Sequence, residues 1–181
     1  MKMNNVYVSL FLIWIIATFC ASCTQQSNEN NEQITQKQID TQEPFVKVNR
    51  YLVKKEEIEI DDLVRRYGWS MEVSQSGLRS MIYFRGVGQP VVPGKLVTIR
   101  YEVKLIDGTL VYSSEKDGLK QFLVGKGGVE SGIEEGILLL KVGDRAKFIL
   151  PSHLAFGLLG DDKMIPPKST LIYDIEVVDL N

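Results

Sequence analysis

Apolar and polar residues alternate in several short stretches of the chain, a pattern typical of strands with one buried face. Residues 97–105, VTIRYEVKL, place Val, Ile, Tyr, Val and Leu on one side and Thr, Arg, Glu and Lys on the other. The pair Asp107-Gly108 is a hairpin-turn signal, and residues 110–113, LVYS, supply the partner strand. The same alternation recurs in residues 146–150 and 171–177. These stretches predict an antiparallel sheet.

One segment between these strands has a helical spacing of apolar residues. It is VESGIEEGILLL, residues 129–140, whose stripe consists of Val129, Ile133, Ile137 and Leu140. Two glycines on this segment, Gly132 and Gly136, permit a close approach of the helix backbone to a neighbouring element. One helix among several amphipathic strands predicts an α+β domain with the helix on one face of the sheet.

A second helical pattern precedes the sheet, in an extension that covers residues 46–76. Its apolar residues follow i, i+3, i+4, i+7 spacing, and Gly68 suits the position just past the helix end: Ile60, Leu63, Val64 and Tyr67. Two roles are open, a helix docked on the main domain or a dimerisation arm. Residues 24–45 before it are rich in Gln, Asn and Glu with few aliphatic side chains, which predicts a disordered tether.

The first 23 residues have the form of a secretory signal. Lys2 is their only charged residue, and an uncharged run from residue 6 to residue 21 follows it. The run ends in Ala21-Ser22-Cys23, which predicts a lipoprotein signal peptide over 1–23 with lipid attachment at Cys23. An uncleaved anchor helix and simple cleavage to a soluble protein are the alternatives. Because Cys20 and Cys23 are the only cysteines, the folded part has no disulfide and no cysteine metal site.

Composition and motifs exclude several common functions. The chain has 21 basic and 23 acidic residues, so it offers no electrostatic footprint for nucleic acid. His153 is the only histidine, which leaves no Ser-His-Asp arrangement and no metal-ligand spacing. Residues 125–128, GKGG, lack a P-loop pattern and are interpreted as a strand-to-helix turn. Glu134 and Glu135 are expected on the solvent side of the helix.

The stretch LPSHLAFGLLG, residues 150–160, is unusually apolar for a segment that Pro151, Gly157 and Gly160 mark as a loop. Loops normally lie in water and are polar. Either the loop covers an apolar binding site, or Leu154, Phe156 and Leu158 fill the open edge of the core.

Several motifs in one order carry a family resemblance: Gly132-x-Glu134-Glu135-Gly136, Val142-Gly143-x-Arg145-Ala146, Ala155-Phe156-Gly157 and Ile165-Pro166-Pro167. Residues 77–181 resemble an FKBP-type peptidyl-prolyl cis-trans isomerase. The lipoprotein start and the segment RYGW, residues 66–69, further resemble the gliding-motility-associated FKBP-type lipoproteins of bacterial envelopes.

The resemblance implies a half-open antiparallel β-sheet wrapped around one short α-helix (FKBP-like), with an N-terminal helical extension and a shallow apolar pocket. It places these residues at the pocket: Tyr101, Val111, Tyr112, Phe122, Val129, Glu130, Ile133, Ala155, Phe156, Ile165 and Tyr173. It also implies proline-containing polypeptide substrates, no cofactor and no metal. The expected location is the bacterial cell envelope, with the lipid anchor holding the chain to a membrane on the periplasmic side.

Several pocket positions depart from the family pattern. Tyr112 stands where Asp is usual, Val111 where Phe is usual, Ile133 in place of the Trp floor, and Glu130 in place of Ile. Phe156 lacks the usual Tyr hydroxyl, and Asp161 replaces a common His. We therefore expect isomerase activity that is real but reduced. A peptide-binding chaperone that uses the same pocket is the alternative function, and a purely structural lipoprotein would have a pocket filled by its own side chains.

Overall fold

The computed structural model of the protein describes residues 26–181, with side chains from Phe45 onward. The predicted signal peptide, including Cys23, lies outside the described residues. The chain divides into two compact units between Leu52 and Val53. The second unit, Val53–Asn181, contains the whole sheet and is the part in which the predicted site residues lie.

The first element, helix α1, runs from Gln26 to Tyr67. Residues 26–45 are therefore helical, whereas the sequence predicted a disordered tether over 24–45. That prediction considered only how little apolar area the segment can bury. Its Gln, Glu and Lys residues lose little side-chain freedom in a helix, so they favour helix even without a buried face.

The end of α1 agrees with the sequence prediction. Gly68 has a positive φ of 64°, and its N–H donates to the carbonyl of Arg65. The N–H of Trp69 reaches back to the carbonyl of Val64. Together these bonds form a Schellman motif, in which glycine allows the left-handed turn and the last helix carbonyls are satisfied. Trp69 and Val64 also pack against the same buried cluster, so this turn fixes where the chain enters the sheet.

Seven antiparallel strands follow, with two further short helices between them. The strands are β1 (Glu72–Val73), β2 (Arg79–Phe84), β3 (Leu96–Leu105), β4 (Leu110–Ser113), β5 (Lys120–Leu123), β6 (Arg145–Leu150) and β7 (Leu171–Leu180). The helices are α2 (Ser114–Asp117) and α3 (Ser131–Ile137), and a single 3₁₀ turn covers Ser152–Leu154. The alternating patterns predicted β3, β4, β6 and β7 correctly, whereas β1, β2 and β5 were not predicted.

The strand order is β1-β2-β6-β7-β3-β4, and β5 also pairs with β3. Strand β3 therefore has β7 along one edge, while β5 and β4 share the other edge. Between β4 and β5 the chain leaves the edge as α2, where the N–H of Tyr101 donates to the Ser114 hydroxyl at 2.7 Å. The FKBP-like α+β fold expected from the sequence is confirmed.

Helix α3 packs on one face of the sheet through its two glycines. A Cβ on Gly132 would lie 2.6 Å from Cγ of Leu150, and one on Gly136 would lie 3.0 Å from the Phe148 ring. A Cβ on Gly132 would lie closer to Leu150 than real Cβ atoms come, and one on Gly136 would crowd the Phe148 ring, so a larger residue at either position would force these buried neighbours to shift. The close approach predicted for these glycines is confirmed.

The C-terminal part of α1, within the second unit, covers the opposite face of the sheet. Ile60 and Leu63 are fully buried with Ile149 of β6 and Ile172 of β7. Asp61 adds an ion pair with Arg79 at 2.7 Å, where the Arg79 side chain is buried. Of the two roles left open by the sequence, the docked helix is the one that this part of α1 performs. Tyr67, counted in the predicted stripe, is instead exposed and stacks on Trp69.

The sheet begins before the predicted domain boundary at residue 77. Strand β1 pairs with β2 through Glu72↔Ser80 and Val73↔Arg79, so the boundary falls inside a hairpin. The segment predicted as a helical extension over 46–76 thus contains a strand. A two-residue strand carries too little alternation to be recognised from the sequence.

Candidate functional site

The eleven residues expected at the pocket come from every side of the face that α3 covers. The strands contribute Tyr101 (β3), Val111 and Tyr112 (β4), Phe122 (β5) and Tyr173 (β7). Helix α3 and the turn before it contribute Val129, Glu130 and Ile133, and the connection from β6 to β7 contributes Ala155, Phe156 and Ile165. The structure gathers ten of them in one hydrophobic core, and Glu130 stands at the N-cap of α3.

Ten of these residues belong to one apolar cluster, which we call the helix-facing cluster. Its floor is buried and consists of Val111, Phe122, Ile133, Ile165 and Tyr173, each at most 7 % exposed. Its rim is half-buried and packs against that floor: Tyr101, Tyr112, Val129, Ala155 and Phe156. The gradient from buried floor to accessible rim is what a shallow apolar binding site requires.

Glu130, the eleventh residue, stands at the N-cap of α3 with φ −57° and ψ 145°. Its carbonyl accepts from the N–H groups of Ile133 and Glu134, while its own N–H has no hydrogen-bond partner among the described residues. Its Oε2 is buried and is also without a partner in that part of the chain. A free backbone donor therefore lies beside the apolar cluster.

The Glu130 carboxylate contributes to raised pKa values of two tyrosines of the cluster. Burial, together with the nearby charge and hydrogen bond of Glu130, raises the pKa of Tyr173 well above its ordinary value. Burial, then the charges of Asp117 and Glu130, also raises the pKa of Tyr101. Both phenols consequently remain neutral across the physiological range, so the cluster gains no further negative charge.

Tyr112 and Asp161 are joined across the open side of the cluster. The Tyr112 hydroxyl donates to Oδ2 of Asp161, and this hydrogen bond, followed by burial, raises the pKa of Tyr112 to about 12. Burial alone would raise the pKa of Asp161, but the bonds from Tyr112 and from the N–H groups of Ile165 and Lys163 outweigh it and lower that pKa. Tyr112 and Asp161, which both differ from the family pattern, thus satisfy each other as hydrogen-bond donor and acceptor.

The connection between β6 and β7, residues 151–170, begins with the apolar stretch singled out in the sequence, and we call it the β6–β7 loop. Leu154 is buried in the core, and Phe156 is half-buried on the rim of the helix-facing cluster. Leu158 and Leu159 are 68 % and 80 % exposed. The core-filling explanation therefore holds for Leu154 but not for Leu158, and the loop presents apolar groups to solvent beside the site.

The residues set aside on the sequence have structural partners. The N–H groups of Gly125 and Gly127 donate to the Glu134 carboxylate at 2.7 and 2.9 Å, so an acidic side chain of the chain itself occupies the GKGG turn. Glu135 accepts from the Ser76 hydroxyl at 2.7 Å. Both glutamates are half-buried, and each carboxylate also fastens α3 to a neighbouring loop. His153 bonds to the Ser76 carbonyl at 2.9 Å.

Metal and membrane features were also sought in residues 26–181. No group of three or more His, Cys, Asp or Glu side chains in this range could hold a metal ion. None of the helices in this range combines the length and the apolar character that a bilayer span needs.

A concavity that was not predicted lies on the face of the sheet opposite α3, and the rim residue Tyr101 also lines it. This groove of about 410 Å³ is lined by charges of both signs from β3, β6 and β7, among them Arg100, Arg145 and Glu176. Arg100 and Arg145 both pair with Glu176, at 2.6 and 3.4 Å. Burial, followed by its hydrogen bond to Asp174, raises the pKa of Tyr83 at its edge. Both arginines of the groove thus share one glutamate, and its lining contains three further acidic residues, Glu102, Glu115 and Asp174.

The sequence reasoning did not find Glu56 or Ser114. The Ser114 hydroxyl accepts from the N–H of Tyr101, and Glu56 accepts hydrogen bonds at both ends of the β6–β7 loop. Asp161 was recognised only as a departure from the family pattern. The signal that could have found it is the simultaneous change at Tyr112, because a Tyr where Asp is usual and an Asp where His is usual exchange donor and acceptor.

Comparison with known proteins gives one consistent family. The model of the family described as FKBP-type peptidyl-prolyl cis-trans isomerase matches residues 88–178. The FK506-binding protein 2 of Yarrowia lipolytica is 39% identical over 108 residues, which are 59% of this chain and 75% of that protein. A probable FKBP-type isomerase FkpA of Neisseria meningitidis is 36% identical over 61% of this chain but only 40% of its own length.

Solved structures agree on the fold. The crystal structure of AtFKBP13 superposes with a TM-score of 0.59 at 30% identity, covering 62% of this chain and all of that one. The crystal structure of FkpA from Escherichia coli covers 100% of this chain and 84% of its own, with a TM-score of 0.63 at 23% identity. The second likeness extends over the N-terminal helix as well as the sheet.

Proposed function

Because the chain belongs to the FKBP-type peptidyl-prolyl cis-trans isomerase family, we propose that the helix-facing cluster is the site at which it binds and isomerises X-Pro bonds. The chain is an FKBP-type isomerase; the proposal concerns the residues that carry the reaction. The observation that supports it is the convergence of ten apolar side chains from four strands, α3 and the β6–β7 loop in one cluster with an accessible rim.

The reaction needs no acid or base, and the apolar residues of the cluster supply none, although the Glu130 carboxylate lies beside them. Rotation about an X-Pro bond must cross a barrier of about 18–20 kcal/mol, because twisting breaks the conjugation of the amide. The twisted amide has a smaller dipole than the planar one. An apolar site therefore destabilises the planar ground state more than the twisted state, which is differential binding of the transition state.

Each part of the site has a role in this proposal. The floor of Ile133, Phe122 and Tyr173 receives the apolar proline ring, and the free N–H of Glu130 donates to a substrate carbonyl. Phe156 covers the ring from the rim. Since Phe156 offers no hydroxyl, the site lacks one donor to substrate, which costs about 0.5–1.5 kcal/mol of binding. Turnover slower than a site with that donor is therefore expected.

A protease-free isomerase assay on a Leu-Pro peptide tests the site. Phe156→Ala removes a half-buried rim ring, and we expect kcat/KM to fall about tenfold, corresponding to about 1.4 kcal/mol of lost transition-state binding. Leu159→Ala is the matched control, because Leu159 is an exposed apolar residue of the same loop. Equal activity of both variants would show that the reaction occurs elsewhere.

We also propose that the chain is a lipid-anchored envelope protein of the gliding-motility-associated kind, assisting exported proteins. The support is the sequence alone: an uncharged run over residues 6–21, then Ala21-Ser22-Cys23, and the segment RYGW. Mass spectrometry of the mature N-terminus checks it. A diacylated Cys23, absent in Cys23→Ser, is expected, whereas an intact Met1 or an unmodified N-terminus would contradict it.

A second candidate function, binding of unfolded clients without turnover, is favoured by the exposed apolar residues beside the site. Leu158, Leu159 and Met164 are 68 %, 80 % and 52 % exposed and lie on the loop that carries Phe156. Replacing both leucines by Ser should weaken suppression of aggregation while leaving turnover of a short Leu-Pro peptide unchanged. If aggregation suppression is unaffected, these residues do not hold clients.

A further inference from the structure

The β6–β7 loop leaves and rejoins the sheet at one point. Leu150, the last residue of β6, pairs directly with Leu171, the first residue of β7. The 20 residues between them carry three members of the proposed prolyl site, Ala155, Phe156 and Ile165. Apart from the 3₁₀ turn at Ser152–Leu154 the connection has no helix or strand, and connections of this length are uncommon unless they are functional. Its conformation depends on how its two ends are held.

Both ends are held by a single side chain from the N-terminal helix. Oε1 of Glu56 accepts from the N–H of Ser152 and from the Thr170 hydroxyl, each at 2.7 Å. Oε2 of Glu56 accepts from the Ser152 hydroxyl at 3.0 Å. Ser152 is the second residue of the loop and Thr170 is its last. One carboxylate therefore bridges the two ends, which we call the neck of the loop.

We propose that Glu56 is a positioning residue for the isomerase: by closing the neck it fixes the β6–β7 loop and, through it, Phe156 on the rim of the site. The inference rests on the proposed function. Hydrogen bonds to an ionised carboxylate are shorter and stronger than neutral ones. Glu56 is half-buried, so water competes for these donors less than it would at an exposed site.

The loop's own hydrogen bonds transmit the constraint from the neck to the rim. The N–H of Gly157 donates to the Ser152 carbonyl at 2.8 Å, and the N–H of Lys168 donates to the Gly157 carbonyl at 2.9 Å. Ser152, held by Glu56, thus fixes Gly157, the residue next to Phe156. Gly157 in turn fixes Lys168 in the second half of the loop. None of the hydrogen bonds that link Glu56 to Phe156 involves a residue of α1 before Val53.

Docking of α1 does not by itself explain Glu56. Ile60 and Leu63 bury the helix against the sheet, and Asp61 ties it to Arg79 of β2. These contacts hold the helix without touching the β6–β7 loop. If Glu56 served only to attach the helix, loss of the Asp61 ion pair should affect turnover in the same way as loss of Glu56.

The experiment compares Glu56→Gln with three other variants in the full chain. Glu57→Gln is the matched control, because Glu57 is exposed and makes no hydrogen bond or ion pair among the described residues. Asp61→Asn removes the other polar tie of the helix. Thr170→Val removes one neck bond with almost no change of shape and remains informative if Glu56→Gln folds poorly. Turnover of a Leu-Pro peptide is measured per folded molecule, together with hydrogen exchange of the Gly157 and Lys168 amides.

We expect Glu56→Gln to lower kcat/KM about tenfold, since a displacement of about 1 Å in a site can cost up to about 100-fold. Thr170→Val should lower it by a smaller factor, both variants should speed exchange of the two loop amides, and Glu57→Gln and Asp61→Asn should change neither. Wild-type turnover in Glu56→Gln, or an equal loss in Asp61→Asn, overturns the inference.

The prolyl-site proposal and the proposal for Glu56 can be refuted by different results. If Phe156→Ala shows that turnover does not use this site, the prolyl-site proposal fails. Unchanged exchange of the Gly157 and Lys168 amides in Glu56→Gln shows instead that the neck does not hold the loop, whatever the turnover.

Discussion

The hydrogen bond between Tyr112 and Asp161 can be tested by Tyr112→Phe, which removes the hydroxyl and keeps the ring. This bond ties β4 to the β6–β7 loop beside the proposed prolyl site. Asp161 retains its two other donors, the N–H groups of Lys163 and Ile165, at 2.9 and 2.8 Å. The substitution therefore removes one of three bonds to a carboxylate that remains otherwise satisfied.

The expected loss in the free energy of unfolding follows from that geometry. A hydrogen bond to a charged group contributes about 1.5–3 kcal/mol, but both partners lie near the surface, where water can replace the missing hydroxyl. We expect the free energy of unfolding to fall by about 1 kcal/mol in Tyr112→Phe. Asp161→Asn should cost more, because it weakens all three bonds at once. The double variant should show a coupling between the two sites of about 1 kcal/mol.

The coupling should also depend on pH with a defined sign. The pKa of Asp161 is lowered in the folded chain, so its stabilisation is present above the ordinary aspartate value and is lost as the pH falls through the lowered pKa. The pKa of Tyr112 is raised to about 12, so its contribution is present below the ordinary tyrosine value and is lost as the pH rises through about 12. The coupling should be constant near neutrality and smaller at low pH.

Urea denaturation of the wild type, both single variants and the double variant, at pH 7 and at successively lower pH until the Asp161 carboxylate is protonated, measures these quantities. The reasoning would be refuted by a coupling near zero at neutral pH, or by one that is unchanged when Asp161 is protonated. Because the bond spans the rim of the prolyl site, the same proteins should also be assayed for turnover, where a fall of a few fold is expected in Tyr112→Phe.

Three further predictions concern the supports of the site. Gly132→Ala should destabilise the fold by about 1–3 kcal/mol in urea denaturation, since its Cβ would lie 2.6 Å from Leu150 in a filled core. Leu63→Ala should cost about 2–5 kcal/mol, whereas Ile58→Ala, on the exposed side of α1, should cost little in the same measurement. Glu134→Gln should leave the fold intact but speed hydrogen exchange of the two turn amides that its carboxylate holds, and unchanged exchange would contradict that role.

Much of the fold could be predicted because its central strands each have one buried and one accessible face. In β3 and β7 this gives a two-residue alternation that the sequence shows directly. The two glycines of α3 were equally informative, because only a close helix–sheet contact explains both. Strand β5 escaped prediction because only one of its four residues, Phe122, is buried, and the apolar Leu123 beside it interrupts the alternation.

The structure of residues 26–45 differs from the predicted disordered tether, and the physical reason is not the one that applies to β5. Low apolar content indicates that a segment cannot build a core, but it does not decide whether the backbone is helical. The run from Gln26 continues directly into the helix that docks through Ile60 and Leu63. A helix that is nucleated by burial at one end can extend into residues that would not form it alone.

For the site, the sequence identified the apolar residues but not the polar bonds that hold them. Phe122, Ile133 and Tyr173 were found through their place in a resembled motif order, and the structure collects them in one cluster. Glu56 and Thr170 are 114 residues apart in the sequence, and no local pattern signals that they meet. Such long-range hydrogen bonds depend on the final packing of two elements and become visible only once that packing is known.

The shared rung at Leu150 and Leu171 has a consequence for how this protein can be altered. Since the β6–β7 loop starts and finishes beside the same pair, its exposed part around Leu158 and Leu159 can change in length and content without shifting any strand, provided that the buried Leu154 and Ile165 are kept. A graft that keeps Ser152 and Thr170 as its end residues would retain the anchor to Glu56. Sequence preference around the proline could then be exchanged between family members by transplanting this one segment, with the rest of the scaffold left as it is.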